Sequence, residues 1–472
     1  MEYDAIIVGS GPNGLTAAAV LAQAGRKVLV LEGADTLGGG LRTAELTLPG
    51  FRHDVCAAVH PTGALSPAFK ELQLEQHGLV WARSKYSYGH PLDDRPAALA
   101  QLDLDATAAE LGADAAAWTR LNRPFLPNAD KLFENLLAPL GLPSTPLLMS
   151  LLGARGVVPA TELTRSWFSE EPAKALFAGC AAHSCRELDG WLTAAVGLVF
   201  TISAHATNWP VATGGSQSIA DALISVIRAA GGAVQPGHRV TSLADVPDSK
   251  AVLFDLSPKQ VSAICAESLP ERYRSRLGTY VYGPGSFKMD WALSGPIPWK
   301  DERLLQASTV HVGGTAAEVA AAEAAPWKGE HAERPFLILC QQSQLDPSRA
   351  PEGKHTGYAY CHVPAGSDVD MTERMEAQIE RFAPGFRDLI LARHSRSAAA
   401  MEAYNPSYIG GAVTGGPGDY SQLFTRPVVR WNPYTTPNPR IFQCGQYTPP
   451  GGGVHGMCGY YAAKAALGSV LR

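Results

Sequence analysis

The sequence predicts an α/β chain. One parallel sheet is assembled from N-terminal, middle and C-terminal segments, beside a second, mixed sheet under a helical cap. Three observations predict it. A strand, glycine turn, helix and second strand open the chain at residues 4–31. A glycine-led helix followed by a short apolar strand lies at residues 213–235. A further strand runs into a glycine-rich turn and a helix at residues 441–471. Such alternation of strand and helix favours a parallel sheet with helices on its faces.

The opening unit carries the most information. Residues 4–8 (DAIIV) form an apolar run of strand length, and GSGPNG follows at once. Gly9, Gly11 and Gly14 hold the three glycine places, with Pro12 and Asn13 between them. The first glycine permits a tight turn, the second a close backbone approach to a pyrophosphate, the third close packing of helix on sheet. Residues 15–24 read as a small-residue helix whose free N–H groups would face phosphate. Residues 27–31 (KVLVL) make the next strand, and Glu32 closes it. That is near the ~20-residue spacing at which an acid meets a ribose diol. The whole is a Rossmann-like dinucleotide-binding signature. GGGLRT follows at residues 38–43. Gly39, Gly40 and Leu41 are expected to pass beside the dinucleotide, and Arg42 to counter pyrophosphate charge.

In the middle segment Gly214 and Gly215 precede Ser216, a helix cap. Ile219, Leu223 and Ile227 give one apolar helical face, which Gly231 and Gly232 end. Residues 233–235 and 239–242 read as strands, the second placing Val240 at the adenosine end. Near the C-terminus residues 441–444 read as a strand, leading through Gly445 and Gln446 to PPGGGVHG and an alanine-rich helix from about Val454. N–H groups at that helix start can stabilise negative charge. Gly451, Gly453 and Gly456 also spell GxGxxG, but too little chain follows for a second dinucleotide fold.

Composition narrows the function classes. A hydrophobic fraction of 46% supports a large core, and a net charge of -5 argues against a nucleic-acid partner. The opening residues lack a basic leader with a cleavage site, and no apolar run reaches membrane-spanning length. The 8 cysteines are scattered, so reduced thiols in a cytoplasmic setting are expected. Cys180 and Cys185 form a CxxxxC pair, read as two core thiols rather than a redox disulfide. With His183 they lack a fourth ligand, and no metal is expected. Residues 136–158 are apolar but interrupted by Pro139, Pro143 and Pro146. Buried helical packing is the preferred reading, with a lid or a patch touching a membrane surface as the alternative.

Taken in order, GSGPNG with Glu32, GGGLRT, TGGSQSIADAL and CGQYTPPGGGVHGMCG resemble the phytoene desaturase-like branch of the FAD-dependent amine oxidase superfamily. NPSYIGGAVTGG and PYTTPNPRIFQCG are similar to its bacterial desaturase-like subgroup, which takes in proteins labelled pyridine nucleotide-disulfide oxidoreductase domain-containing. Disulfide reductases themselves keep a CxxxxC soon after the first glycine motif, which this chain lacks.

The resemblance implies one FAD, held by a domain of residues 1–74, 202–282 and 425–472. Residues 75–201 would form a helical cap and substrate region and 283–424 a substrate-binding sheet domain. Gly9, Gly11, Pro12, Asn13, Gly14, Glu32, Gly39, Gly40, Leu41, Arg42, Val240, Gly445, Gln446, Gly453 and Val454 are the expected cofactor contacts. Gln446 stands where an acid often meets the ribityl chain. Lys288, on a strand where Phe287, Met289, Trp291 and Leu293 alternate as the buried face, matches the lysine that holds a water near flavin N5. The alternative is a solvated lysine paired with Asp290. His455, in the GGGVHG turn, is the other catalytic candidate, against a helix-start residue facing solvent. His183 and His205 are read as core histidines.

The implied activity is hydride transfer from an apolar, isoprenoid or polyene-like substrate to flavin, by a dehydrogenase, desaturase or oxidase. The acceptor would be oxygen or a quinone, with peripheral membrane contact left open by a lipophilic substrate. An isomerase or saturase, a non-catalytic flavoprotein partner and an amine oxidase are the alternatives. Oligomeric state is not legible.

Overall fold

The computed structural model describes residues 2–418, 422 and 425–472, so the expected boundary at 424/425 falls at the edge of the described residues. Strands of the main sheets, in chain order, are β1 (Tyr3–Val8), β2 (Val28–Leu31), β3 (Tyr86–His90), β4 (Ala98–Gln101), β5 (Ala233–Gln235), β6 (Ser249–Phe254), β7 (Gly285–Leu293), β8 (Ala307–Val312), β9 (Leu337–Cys340), β10 (His355–Val363), β11 (Ile390–Arg396) and β12 (Ile441–Gln443). The helices that matter most are α1 (Pro12–Gln23), α2 (Pro146–Gly156), α3 (Glu171–Ala181), α4 (Thr193–Thr207), α5 (Gln217–Ala229) and α6 (Met457–Leu467).

Among the described residues the first sheet has the order β12-β6-β1-β2-β5, every neighbour parallel. Its strands thus come from the start, the middle and the end of the chain. β1 shows why the sheet is buried on both faces. Ala5 and Ile7 point into one apolar cluster with α1, α5 and α6. Ile6 and Val8 point into another with Val261, Leu269 and Tyr273. Side chains two apart share a face, so a continuous apolar run fits a strand covered on both sides.

One expected strand is absent. Residues 239–242 are irregular, and the chain re-enters the sheet only at β6, between β1 and β12. A lone Val240 between polar neighbours supplies little to bury, whereas β6 buries Ala251, Leu253 and Phe254 completely.

The second sheet runs β11-β7-β10-β9-β8-β3-β4, antiparallel except between β8 and β3. β3 and β4 lie within the stretch expected as helical cap and substrate region, and residues 202–207, expected with the cofactor domain, finish cap helix α4. Cap and sheet share one core: Tyr88 and Ala100 of the strands pack with Phe177, Leu198 and Ile202 of the helices. No helix among the described residues is long and apolar enough to cross a membrane.

Candidate cofactor and redox site

A single cavity of about 870 Å³ runs from the first glycine turn, past the second sheet, to the apolar segment at residues 136–143. The sequence builds its first wall locally. Gly9 leaves β1 at φ +104°, a left-handed conformation that side chains resist. Its N–H is tied to Leu31 O at 2.8 Å, which holds the turn against β2. Gly11, Pro12 and Asn13 then line the cavity where α1 begins. Gly14 does not. A Cβ there would sit 2.2 Å from Gly9 O, so this glycine serves packing.

Glu32 also lines the cavity and is already well supplied with donors. Its carboxylate accepts from Ser10 N (3.0 Å), Ser10 Oγ (2.5 Å), Ala34 N (2.9 Å) and Arg42 Nη2 (3.3 Å). Arg42 is therefore turned to Glu32, Thr36 O and the Tyr404 hydroxyl, rather than kept as a free counter-ion for pyrophosphate. Gly39 and Gly40 line the cavity. Leu41, expected beside the cofactor, points into the core under α1, where burying its apolar side chain is favourable. Val240 lines the cavity without being on a strand, with Arg239 packed on Gly33 beside Glu32.

The sequence reading missed Asp255. It follows β6 directly, lines the cavity, and accepts from Gly14 N at 2.9 Å. Gly11 is so close that a Cβ there would fall 2.5 Å from Asp255 Oδ2. Burial, with Glu32 nearby, raises this carboxyl to about 7 despite the α1 N–H groups. The available signal was its place at the carboxyl end of a parallel strand, where such sheets bind ligands. Gly445, expected as a contact, stands behind Asp255 instead, 3.0 Å from its Oδ1 for a built Cβ.

Gln446, Gly453, Val454 and His455 line the cavity from the C-terminal turn. The following helix begins three residues later than expected, at Met457. Its Met457 N–H is taken by His455 Nδ1 at 3.0 Å, so that start is capped from within the chain. His455 is buried, not facing solvent. Its Nε2 has no hydrogen-bond partner, and burial lowers it to about 4, leaving a neutral ring.

Lys288 reaches the cavity from β7. The expected half-buried strand is covered on both faces: Phe287, Met289, Trp291 and Leu293 enter one core, while Lys288 and Asp290 are buried on the other side. Lys288 Nζ is in close contact with Asp290 Oδ2 and lies 4.5 Å from the centroid of the Tyr358 ring. Asp290 further meets His53 Nδ1 at 3.6 Å and His394 Nδ1 at 3.4 Å. Burial disfavours both charges. It pulls the amine below its ordinary range, whereas in Asp290 the Lys288 ammonium, His394 and His53 together outweigh it and keep the carboxyl low.

The remaining histidines separate. His205 is satisfied in the core by Trp118 Nε1 (3.0 Å) and Gln101 O (2.8 Å). His183 lines the cavity, stacked on Phe200 with ring centroids 4.3 Å apart. All eight cysteines are free thiols, and no metal-ligating cluster occurs among the described residues.

Residues 7–72 match the NAD(P)-binding Rossmann-like domain family. Along 98% of its length the chain is 25% identical to pyridine nucleotide-disulfide oxidoreductase domain-containing protein 2 of Rattus norvegicus, covering 93% of that protein. Two solved structures share the fold. An oxidoreductase from Methanosarcina mazei has a TM-score of 0.63 at 17% identity, over 99% of this chain and 100% of that one. Cyclohexylamine oxidase from Brevibacterium oxydans has 0.60 at 15% identity, over 100% of both. The chain thus carries a Rossmann-like domain, shares its overall fold with cyclohexylamine oxidase, and is similar in sequence to pyridine nucleotide-disulfide oxidoreductase domain-containing protein 2 along nearly its whole length.

Proposed function

We propose that this chain is an FAD-dependent oxidoreductase acting on an apolar substrate, with Lys288 at the reacting end. The observation that carries the reading is the single cavity joining the glycine turn and Glu32 to Lys288, and both to an apolar wall. Its residues suit FAD. Gly11, Pro12 and Asn13 line the cavity at the start of α1, where free backbone N–H groups suit a pyrophosphate. Glu32 is held where a ribose diol would meet it, with Val240 beside it for the adenosine. Gln446 offers an amide to a hydroxylated chain.

Bound FAD supplies a two-electron acceptor at N5 of its ring. The chain supplies placement, dryness and a proton. Met149, Leu152, Val199 and Phe200 exclude water from the far end of the cavity. Lys288 can hold a water or pass a proton at Nζ, and Asp290 keeps that amine positioned. Leu142 is fully exposed and Leu140 largely so, both bordering the cavity, which supports entry of a lipophilic substrate from an apolar phase. Oxygen or a quinone is the proposed electron acceptor.

The test is the visible absorption spectrum of the purified protein, before and after heat release of the chromophore, followed by anaerobic mixing with polyenes, lipids and amines. Bands near ~375 and ~450 nm that bleach with one substrate class are expected. A colourless protein that takes up no added FAD would overturn the cofactor assignment. Bound flavin that no substrate bleaches would overturn the redox assignment.

A further inference from the structure

A second set of reactive groups lies beyond Lys288 and the glycine turns. Cys185 Sγ is 3.4 Å from His362 Nε2, and His362 Nδ1 is 2.7 Å from Glu323 Oε2. The three come from a turn after α3, from β10, and from the helix Ala316–Ala324. Thr414 Oγ1 stands 3.5 Å from the same sulfur. The three groups are buried one layer behind the cavity, whose wall there is formed by their neighbours His183, Ser184, Tyr360 and Thr414.

The order of groups fixes their roles. A buried carboxylate against Nδ1 holds the His362 proton there and leaves Nε2 to the thiol. Burial opposes charge on His362. Glu323 and the neighbouring sulfur outweigh it and lift the imidazole well above its ordinary range. A base aligned by a third group and set against a nucleophile is the general arrangement for activating a thiol. Cys185 also sits at φ +53°, a left-handed conformation uncommon outside glycine. No other cysteine has such a partner among the described residues. Cys180 meets the Tyr88 hydroxyl, and burial drives it and Cys265, Cys340, Cys361, Cys444 and Cys458 upward.

We propose that Cys185, His362 and Glu323 form a second reactive centre, a thiol nucleophile that captures conjugated carbonyl compounds entering the cavity. The sulfur forms a bond to the β-carbon as the carbon–carbon π bond breaks. The electron pair passes to the carbonyl, and the proton taken from the thiol by His362 returns to the α-carbon. The product is a thioether, with no net oxidation and no further reactant. The proposal stands whether or not the chain binds FAD.

N-ethylmaleimide, itself a conjugated carbonyl, is the probe. The purified protein is labelled briefly at about pH 6.5, and its eight cysteines are mapped by mass spectrometry. Cys185 should react at least ~10-fold faster than any other cysteine, and His362→Gln should slow it by ~10-fold or more. Glu323→Gln should give an intermediate rate. Cys185→Ser should lose the fast labelling phase while the other seven cysteines label as in wild type, a comparison that does not depend on the His362 variant folding. Labelling of Cys185 no faster than the buried thiols, an unchanged rate in folded His362→Gln, or a fast phase retained in Cys185→Ser would each overturn the proposal.

Discussion

The backbone N–H of Gly14 donates to Asp255 Oδ2 across 2.9 Å, joining residues 241 apart in sequence at the first turn of α1. A carboxyl thus stands behind Gly11 and Gly14, at the proposed pyrophosphate site. Two negative groups there would repel, unless the acid is neutral when the phosphate arrives. Burial raises it from 3.8 to about 7, so the folded chain keeps a proton that the unfolded chain has lost.

Its linkage to stability has a definite sign. Between pH 3.8 and about 7 the folded state binds more protons at this site, so stability falls as pH rises through the window. Asp255→Asn keeps an acceptor for Gly14 N and removes the titration. Relative to wild type, the cofactor-free variant should gain on the order of 2–4 kcal/mol above pH 7 and nothing below about pH 4. Denaturant melts at both extremes measure it. A difference that does not grow with pH would remove the neutral-acid account.

Much of this site was legible because it is local. Gly9, Gly11, Gly14 and Glu32 lie within one strand–helix–strand unit, whose spacing is set by backbone geometry. Lys288 and Asp290 were legible as one face of a strand by its period of two. Their burial was not, because that pattern says nothing of a helical cap closing the second face. β6 was missed because parallel pairing with β1 and β12 is non-local, and residues 239–242 offered a competing apolar centre at Val240. Asp255 after a strand reads as an ordinary turn residue until the fold brings α1 over it. Cys185 and His362 are 177 residues apart, so only the folded chain joins them.

Lys288 and Asp290 should behave as one energetic unit. Removing the ammonium leaves a fully buried carboxylate facing only His53 and His394. Breaking a buried pair costs about 3–5 kcal/mol, while replacing both partners costs far less. Lys288→Met and Asp290→Asn are each expected to destabilise by that order, and the double variant by less than the sum of the two. A double-mutant cycle in urea reads the coupling directly. Additive losses would mean that the contact carries no net interaction.

Glycine substitutions should split by what surrounds them. A Cβ on Gly459 of α6 would fall 1.8 Å from Asn13 O, because α6 crosses tightly on the start of α1. Gly459→Ala therefore forces α6 away from the start of α1, at a cost of about 3 kcal/mol or more. Gly153, inside α2, has nothing within 4 Å of its built Cβ. Gly153→Ala should stabilise by about 0.5–1 kcal/mol through the unfolded chain. Thermal melts of the two variants give opposite signs if α1 and α6 are packed as described.

Glu32 is the group whose ligand role and structural role can be separated. Four donors already converge on its carboxylate, two of them backbone N–H groups. Glu32→Gln keeps the shape but turns an NH₂ donor toward Ser10 or Ala34, leaving a donor facing a donor. Such an unsatisfied contact costs about 1–3 kcal/mol. The cofactor-free variant should melt lower by that amount, and its affinity for added FAD should fall as well, because the turn that aims the carboxylate is loosened. Calorimetric titration of FAD beside melts of the cofactor-free protein separates the effects. Lost affinity with an unchanged melt would assign Glu32 to the ligand alone. A lowered melt with unchanged affinity would assign it to the turn, and the ribose contact would have to be sought elsewhere along the cavity wall.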